Sequence, residues 1–206
     1  MKNKKKAIDI LWIIRKINEL LPIFFFVFLI FGFEEPLMAT VTILSALIHE
    51  VGHISYLLFA KRLPLNIRGV LSGFRIRANN KLTYDQTMLT YLFGPLFNLL
   101  VFVVTALLSL IFGKLFALIS IINLATALSN LLPIEGYDGY GILYTLIQKR
   151  EMENIWLRPL YRLSSALIFL FCIFSLYLID RQGGGYWIFA IFFISMLKCI
   201  KADLGE

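Results

Sequence analysis

The sequence predicts an all-α polytopic membrane protein, and three observations carry that expectation. Hydrophobic residues make up 59% of the 206 positions and mean hydropathy is +0.80, well above what a soluble domain carries. The apolar residues are gathered into about six runs, with the basic residues in short blocks between them. With the N-terminus in the cytoplasm, all but Lys114 and Arg181 of the 20 Lys and Arg residues fall on the cytoplasmic side. The net charge of +7 is therefore read as topology information, and nucleic-acid binding is not expected.

The elements follow in order. Lys2, Lys4, Lys5 and Lys6 precede apolar sequence, but Arg15, Lys16 and Glu19 interrupt it and Phe33-Glu34-Glu35-Pro36 is no small-residue cleavage site. The segment is therefore kept as a first span, Leu20 to Phe33, and not read as a signal peptide. The later runs are Leu37 to Ala60, Met88 to Phe112, Leu115 to Leu132, Leu163 to Ile179 and Tyr186 to Ile200. Glycines stand in both external turns, at Gly113 and at Gly183 to Gly185. Between the second and third spans, Leu63, Leu65 and Ile67 alternate with Pro64, Asn66 and Arg68, and Phe74-Arg75-Ile76-Arg77 alternates likewise. A short β-hairpin is expected there, its arginines serving as topology determinants or contacts for anionic lipid. Gly141 to Arg158 reads as an amphipathic surface helix. Cys172 and Cys199 are far apart in apolar runs and read as small hydrophobes. No repeat or appended soluble domain is visible, so residues 1–206 are read as one membrane-embedded domain.

Chemistry concentrates in the second span. His49-Glu50-Val51-Gly52-His53 contains the only two histidines of the chain. A helix places residues i and i+4 on one face, so both imidazoles reach one metal ion, while Glu50, about 100° around, addresses a water bound there. At 1.5 Å per residue, His53 lies about 10 Å and His49 about 16 Å from the cytoplasmic end of the span. Ionisable groups at that depth are costly without a metal or a polar cavity.

A single histidine in such a helix is more often a hydrogen-bonded core residue, but the pair with Glu50 at this spacing reverses the odds. Three carboxylates downstream compete for the place of third ligand. Asp85 sits ahead of the third span in Thr83-Tyr84-Asp85-Gln86, where a helix-cap or loop role is favoured. Glu135 and Asp138 follow the fourth span and are better placed to bend back.

The stretch Asn130-Leu131-Leu132-Pro133-Ile134-Glu135-Gly136-Tyr137-Asp138-Gly139 resembles the Asn-x-x-Pro-x-x-x-x-Asp-Gly signature of site-2 proteases, the intramembrane zinc metalloproteases. Gly94-Pro95-Leu96-Phe97-Asn98 resembles a Gly-Pro-x-x-Asn pattern of the same family, and the three elements stand in the family's order. The size and topology look most like the branch containing the bacterial protease that processes a sporulation sigma-factor precursor. Its frequent C-terminal nucleotide-sensing domain is not expected in a sequence that ends at Glu206. Gly136 and Tyr140 stand where many relatives have proline and glycine.

The resemblance implies one Zn2+ ion held by His49, His53 and Asp138, with Glu50 as the catalytic carboxylate. Three protein ligands leave a position for water, whose proton Glu50 takes and passes to the departing amine. It also implies contact of Asn130 with the substrate backbone, beside an equally weighted role as a helix-end cap, whereas packing is favoured for Asn98. The expected substrate is a transmembrane or membrane-associated protein cut near the cytoplasmic face, with the hairpin edge receiving the unwound segment. A multi-pass cell-membrane location with both termini cytoplasmic, a bacterial source, and control by a membrane partner or by prior cleavage of substrate are expected too; nothing in the sequence specifies an oligomeric state. The rival readings are a membrane zinc protease acting on prenylated or misfolded proteins, which usually takes a glutamate as third ligand, and a catalytically silent membrane binding protein, against which the intact Glu50 argues.

Overall fold

The computed structural model describes residues 34–60, 65–70, 73–78 and 82–182, together with parts of 27–32 and 186–197. Most of the expected first span and part of the last lie outside the described residues, as do the N-terminal lysines and Cys199. The described elements run α1 (Pro36–Phe59), β1 (Leu65–Val70), β2 (Gly73–Ala78), α2 (Tyr84–Phe112), α3 (Lys114–Asn130), α4 (Asp138–Lys149) and α5 (Glu153–Gln182).

Local chemistry fixes the helix ends. α1 opens on Pro36, whose missing N–H is no loss in a first turn. Thr83 caps α2 in a reciprocal box: its hydroxyl accepts from the Gln86 amide while the Gln86 side chain accepts from the Thr83 amide. Gly113, at φ 79, closes α2 and opens α3, so the two form a tight antiparallel pair.

α1, α2 and α5 are long and apolar enough to cross a membrane, and α3 is a shorter apolar helix, so this is a membrane protein. Its burial pattern agrees. Leu100, Leu107, Leu110 and Ile111 are exposed on α2, whereas Ser45, His49, Asn98 and Asn123 are buried. Apolar residues face outward and the polar ones pair inside, the distribution that a lipid environment requires. α2 is the centre of the bundle, packed against α1, α3 and α4.

β1 and β2 pair antiparallel, with Ile67 opposite Ile76 and Val70 opposite Gly73, and β2 lies beside α1. The surface helix expected over 141–158 is corrected. It is divided: α4 ends at Lys149, and residues from Glu153 onward already belong to α5. Glu151 adopts φ 55, the Glu151 amide donates to the Gln148 carbonyl, and the Met152 amide donates to the Ile147 carbonyl. This is a Schellman closure with glutamate in the place usually taken by glycine, so no glycine marked the break.

Candidate metal centre

His49 and His53 are buried one turn apart on the inner face of α1, with perpendicular rings and Nε2 atoms 3.2 Å apart. Asp138, the first residue of α4, brings Oδ2 to 2.9 Å from His49 Nε2 and 3.4 Å from His53 Nε2. Among the described residues these three side chains form the one metal-ligating group, their donor atoms all within 4.8 Å of one another.

The hydrogen bonds behind the rings decide what faces the centre. His53 Nδ1–H donates to the Thr90 carbonyl at 2.7 Å, and His49 Nδ1–H donates to Asn98 Oδ1 at 2.9 Å. Asn98 is itself oriented, because its Nδ2 donates to the Ser45 carbonyl at 3.0 Å and to Asn123 Oδ1 at 2.9 Å. With both Nδ1 atoms protonated, both Nε2 atoms carry lone pairs, as metal ligation requires. Asp138 Oδ2 is buried and receives no hydrogen bond. Three electron-pair donors thus meet at 2.9–3.4 Å, a repulsive arrangement that a cation between them relieves. Edges of about 3.3 Å are what zinc at 2.0–2.1 Å from tetrahedral ligands gives. The residues present fit a metal ion.

Glycine makes room for the imidazoles. A Cβ on Gly94 would lie 2.5 Å from His53 Cε1 and 2.8 Å from His49 Cε1, so α2 supplies a bare backbone surface against both rings. Gly52, between the histidines on α1, lies against the Phe93 carbonyl and Gly94 Cα. The helices therefore cross at the imidazole pair, and the Tyr56 ring packs at a tilt against Phe93 one turn further along, ring centroids 4.9 Å apart.

The third candidate ligand, Asp138, arrives by loop. After α3 the chain turns through residues 131–137, with Ile134 buried and Gly136 at φ 97. Gly139 packs against the backbone of Leu131 and Leu132, and the Glu135 amide donates to Ser164 Oγ of α5 at 2.8 Å. These contacts aim the first turn of α4 back at α1. Asp138 also occupies the positive end of the α4 dipole, which favours its carboxylate.

The other candidates are elsewhere. Asp85 is exposed and pairs with Lys149 at 2.5 Å, and Glu135 is exposed. Glu50 is half-buried beside His49 on α1. Asn130 ends α3, its amide donating to the Thr126 carbonyl of the same helix at 2.9 Å. Asn98, for which packing was favoured, proves to be the hydrogen-bond partner of His49. The Gly-Pro-x-x-Asn pattern was the one signal that pointed to it.

No protein-family model matches the sequence, and no curated protein does. Among solved structures the chain is similar to the site-2 protease from Methanocaldococcus jannaschii, with 17% sequence identity and a TM-score of 0.62, covering 90% of this chain and 87% of that one. At that identity the likeness speaks for the architecture, which is independent of the side-chain geometry just described. The chain has the fold of a site-2 protease, and His49, His53 and Asp138 converge inside it.

Proposed function

We propose that this protein is an intramembrane zinc endopeptidase that hydrolyses a peptide bond in a transmembrane or membrane-associated protein near the cytoplasmic face. The observation that carries this reading is the convergence of His49, His53 and Asp138, with Glu50 on the same helix, at a buried point of a membrane fold shared with a site-2 protease. In this reading residues 1–206 form one six-span domain with cytoplasmic termini in a bacterial cell membrane, subject to a membrane partner or to prior cleavage of its substrate.

His49, His53 and Asp138 hold one Zn2+ ion. When bound, zinc supplies Lewis-acid polarisation of the peptide carbonyl and lowers the pKa of water to roughly 7. Glu50 takes the proton of the attacking water and delivers it to the departing amine. Asn98 and the Thr90 carbonyl keep the imidazoles in the ligating tautomer. Asn130 uses its side-chain oxygen toward the substrate backbone while its amide stays on Thr126. An aspartate in the third position supports this reading over that of a protease for prenylated or misfolded proteins.

The test is cleavage of a co-expressed membrane substrate. Glu50→Gln is expected to lower turnover by about 10²–10⁴-fold while zinc is retained. Asp138→Ala is expected to lose zinc as well. Processing that persists in Glu50→Gln sinks the mechanism, and unchanged zinc content in Asp138→Ala sinks the ligand set.

A further inference from the structure

A second concave site lies where α4 meets the start of α5. Tyr140 and Tyr144 of α4 and Leu157, Arg158, Tyr161 and Arg162 of α5 line a cavity of about 600 Å³, within the range of small-molecule sites. Arg158 and Arg162 are one turn apart on the same face of α5, and neither guanidinium meets a carboxylate among the described residues. Tyr140 and Tyr144 stack at 6.2 Å between ring centroids and form the opposite wall.

The position in α5 defines the ligand. Glu153, Arg158 and Arg162 are the charges of its first ten residues, and from Leu163 to Ile179 the helix is free of charge. Arg162 therefore marks the level at which α5 enters the bilayer, and Trp156 and Tyr161 are the aromatic residues expected there. Continuing from Arg162 along the same helix face, Phe169, Leu170 and Ile173 are exposed. Two guanidinium groups that meet no carboxylate among the described residues select a phosphate, which they grip through paired N–H donors. An exposed apolar stripe leading away from them selects a phosphate that carries acyl chains.

We propose that the α4–α5 cavity is a binding site for an anionic phospholipid, its phosphate held by Arg158 and Arg162 and its chains lying along Phe169, Leu170 and Ile173. The site stands on the membrane location of the protein and not on the peptidase reaction. Since Tyr140 is two residues from Asp138, the lipid packs against the helix that presents the third ligand.

The experiment places the protein in nanodiscs of equal phosphatidylglycerol and phosphatidylcholine and identifies the lipids retained by native mass spectrometry. Wild type is expected to retain phosphatidylglycerol over phosphatidylcholine by on the order of tenfold, two basic side chains near a membrane surface being worth at least that. Arg158→Gln with Arg162→Gln should return the ratio to that of the bulk lipid, while Arg181→Gln, at the other end of α5, should leave it unchanged. A helical circular dichroism spectrum and a melting temperature like those of wild type show that the double variant is folded. Should it not fold, the single variants are read instead, each expected to reduce the preference about threefold. A wild-type ratio equal to bulk, or a preference that survives both substitutions, overturns the proposal. If inorganic phosphate raises the melting temperature in detergent as much as phosphatidylglycerol does, the cavity is a site for free phosphate and the lipid assignment falls.

Discussion

The two halves of the candidate metal centre are built differently. His49 and His53 stand on a 24-residue helix clamped across its width: Gly52 against the backbone of α2, Asn98 and Thr90 behind the rings, and Ser45 and Asn123 behind Asn98. Asp138 begins a 12-residue helix that packs on α2 and is reached through a loop held mostly by its own short-range bonds, the Ile134 amide to the Leu132 carbonyl and the Tyr137 amide to the Ile134 carbonyl, with one hydrogen bond across to Ser164. A buried, satisfied polar network that joins three helices has few alternatives to its native arrangement, whereas a loop whose bonds are mostly local can shift as a unit at lower cost. The imidazole pair is thus preformed by helix packing, whereas the position of the Asp138 carboxylate depends on the segment after α3.

Substitutions can break either half. The largest effect is expected from Gly94→Ala, because the new methyl would stand within 2.8 Å of both imidazoles; purified variant should carry almost no zinc by elemental analysis while its circular dichroism stays helical. Full zinc occupancy would mean that α2 does not form the back wall. Gly139→Ala comes next, since its Cβ would overlap the Leu131 carbonyl and displace Asp138 while leaving the histidines in place. Its zinc affinity should fall to that of Asp138→Ala and no further, and wild-type affinity would show that the loop yields freely. Asn98→Ala removes the acceptor that orients His49 and should weaken zinc by about 10–100-fold in a competition titration with a chelator. An unchanged titration would return Asn98 to a packing role. Ser164→Ala is the mildest, costing about 1 kcal/mol of stability for one lost hydrogen bond, read as a small fall in melting temperature at full zinc occupancy. A loss of zinc there would show that α5, and not the loop alone, sets Asp138.

Legibility in the sequence followed the same division. The i, i+4 histidines and Glu50 declare themselves because one helix sets their relation, and apolar runs declare the helices of a membrane protein. Spacing alone leaves Asp85, Glu135 and Asp138 as candidates for a third ligand; the resemblance to a family signature singles out Asp138, and the structure brings that carboxylate to the imidazoles. Asn98 was underrated because its role depends on the register between α1 and α2, which no local pattern encodes. The division of α4 from α5 was hidden for a smaller reason: Glu151 holds a backbone conformation for which sequence reasoning looks to glycine or asparagine.

The direction of the hydrogen bonds around His49 has a consequence for proton traffic. Asn98 spends its N–H groups on Ser45 and Asn123, so only its oxygen can face His49, and that oxygen obliges Nδ1 of the ring to keep its hydrogen. The Thr90 carbonyl imposes the same condition on His53. Neither imidazole can exchange tautomers without breaking a buried bond, so neither is suited to relay a proton across the site. In the proposed hydrolysis the movement from water to leaving amine is thereby confined to Glu50, and the asparagine that holds a ligand in place also keeps the reaction to a single proton route.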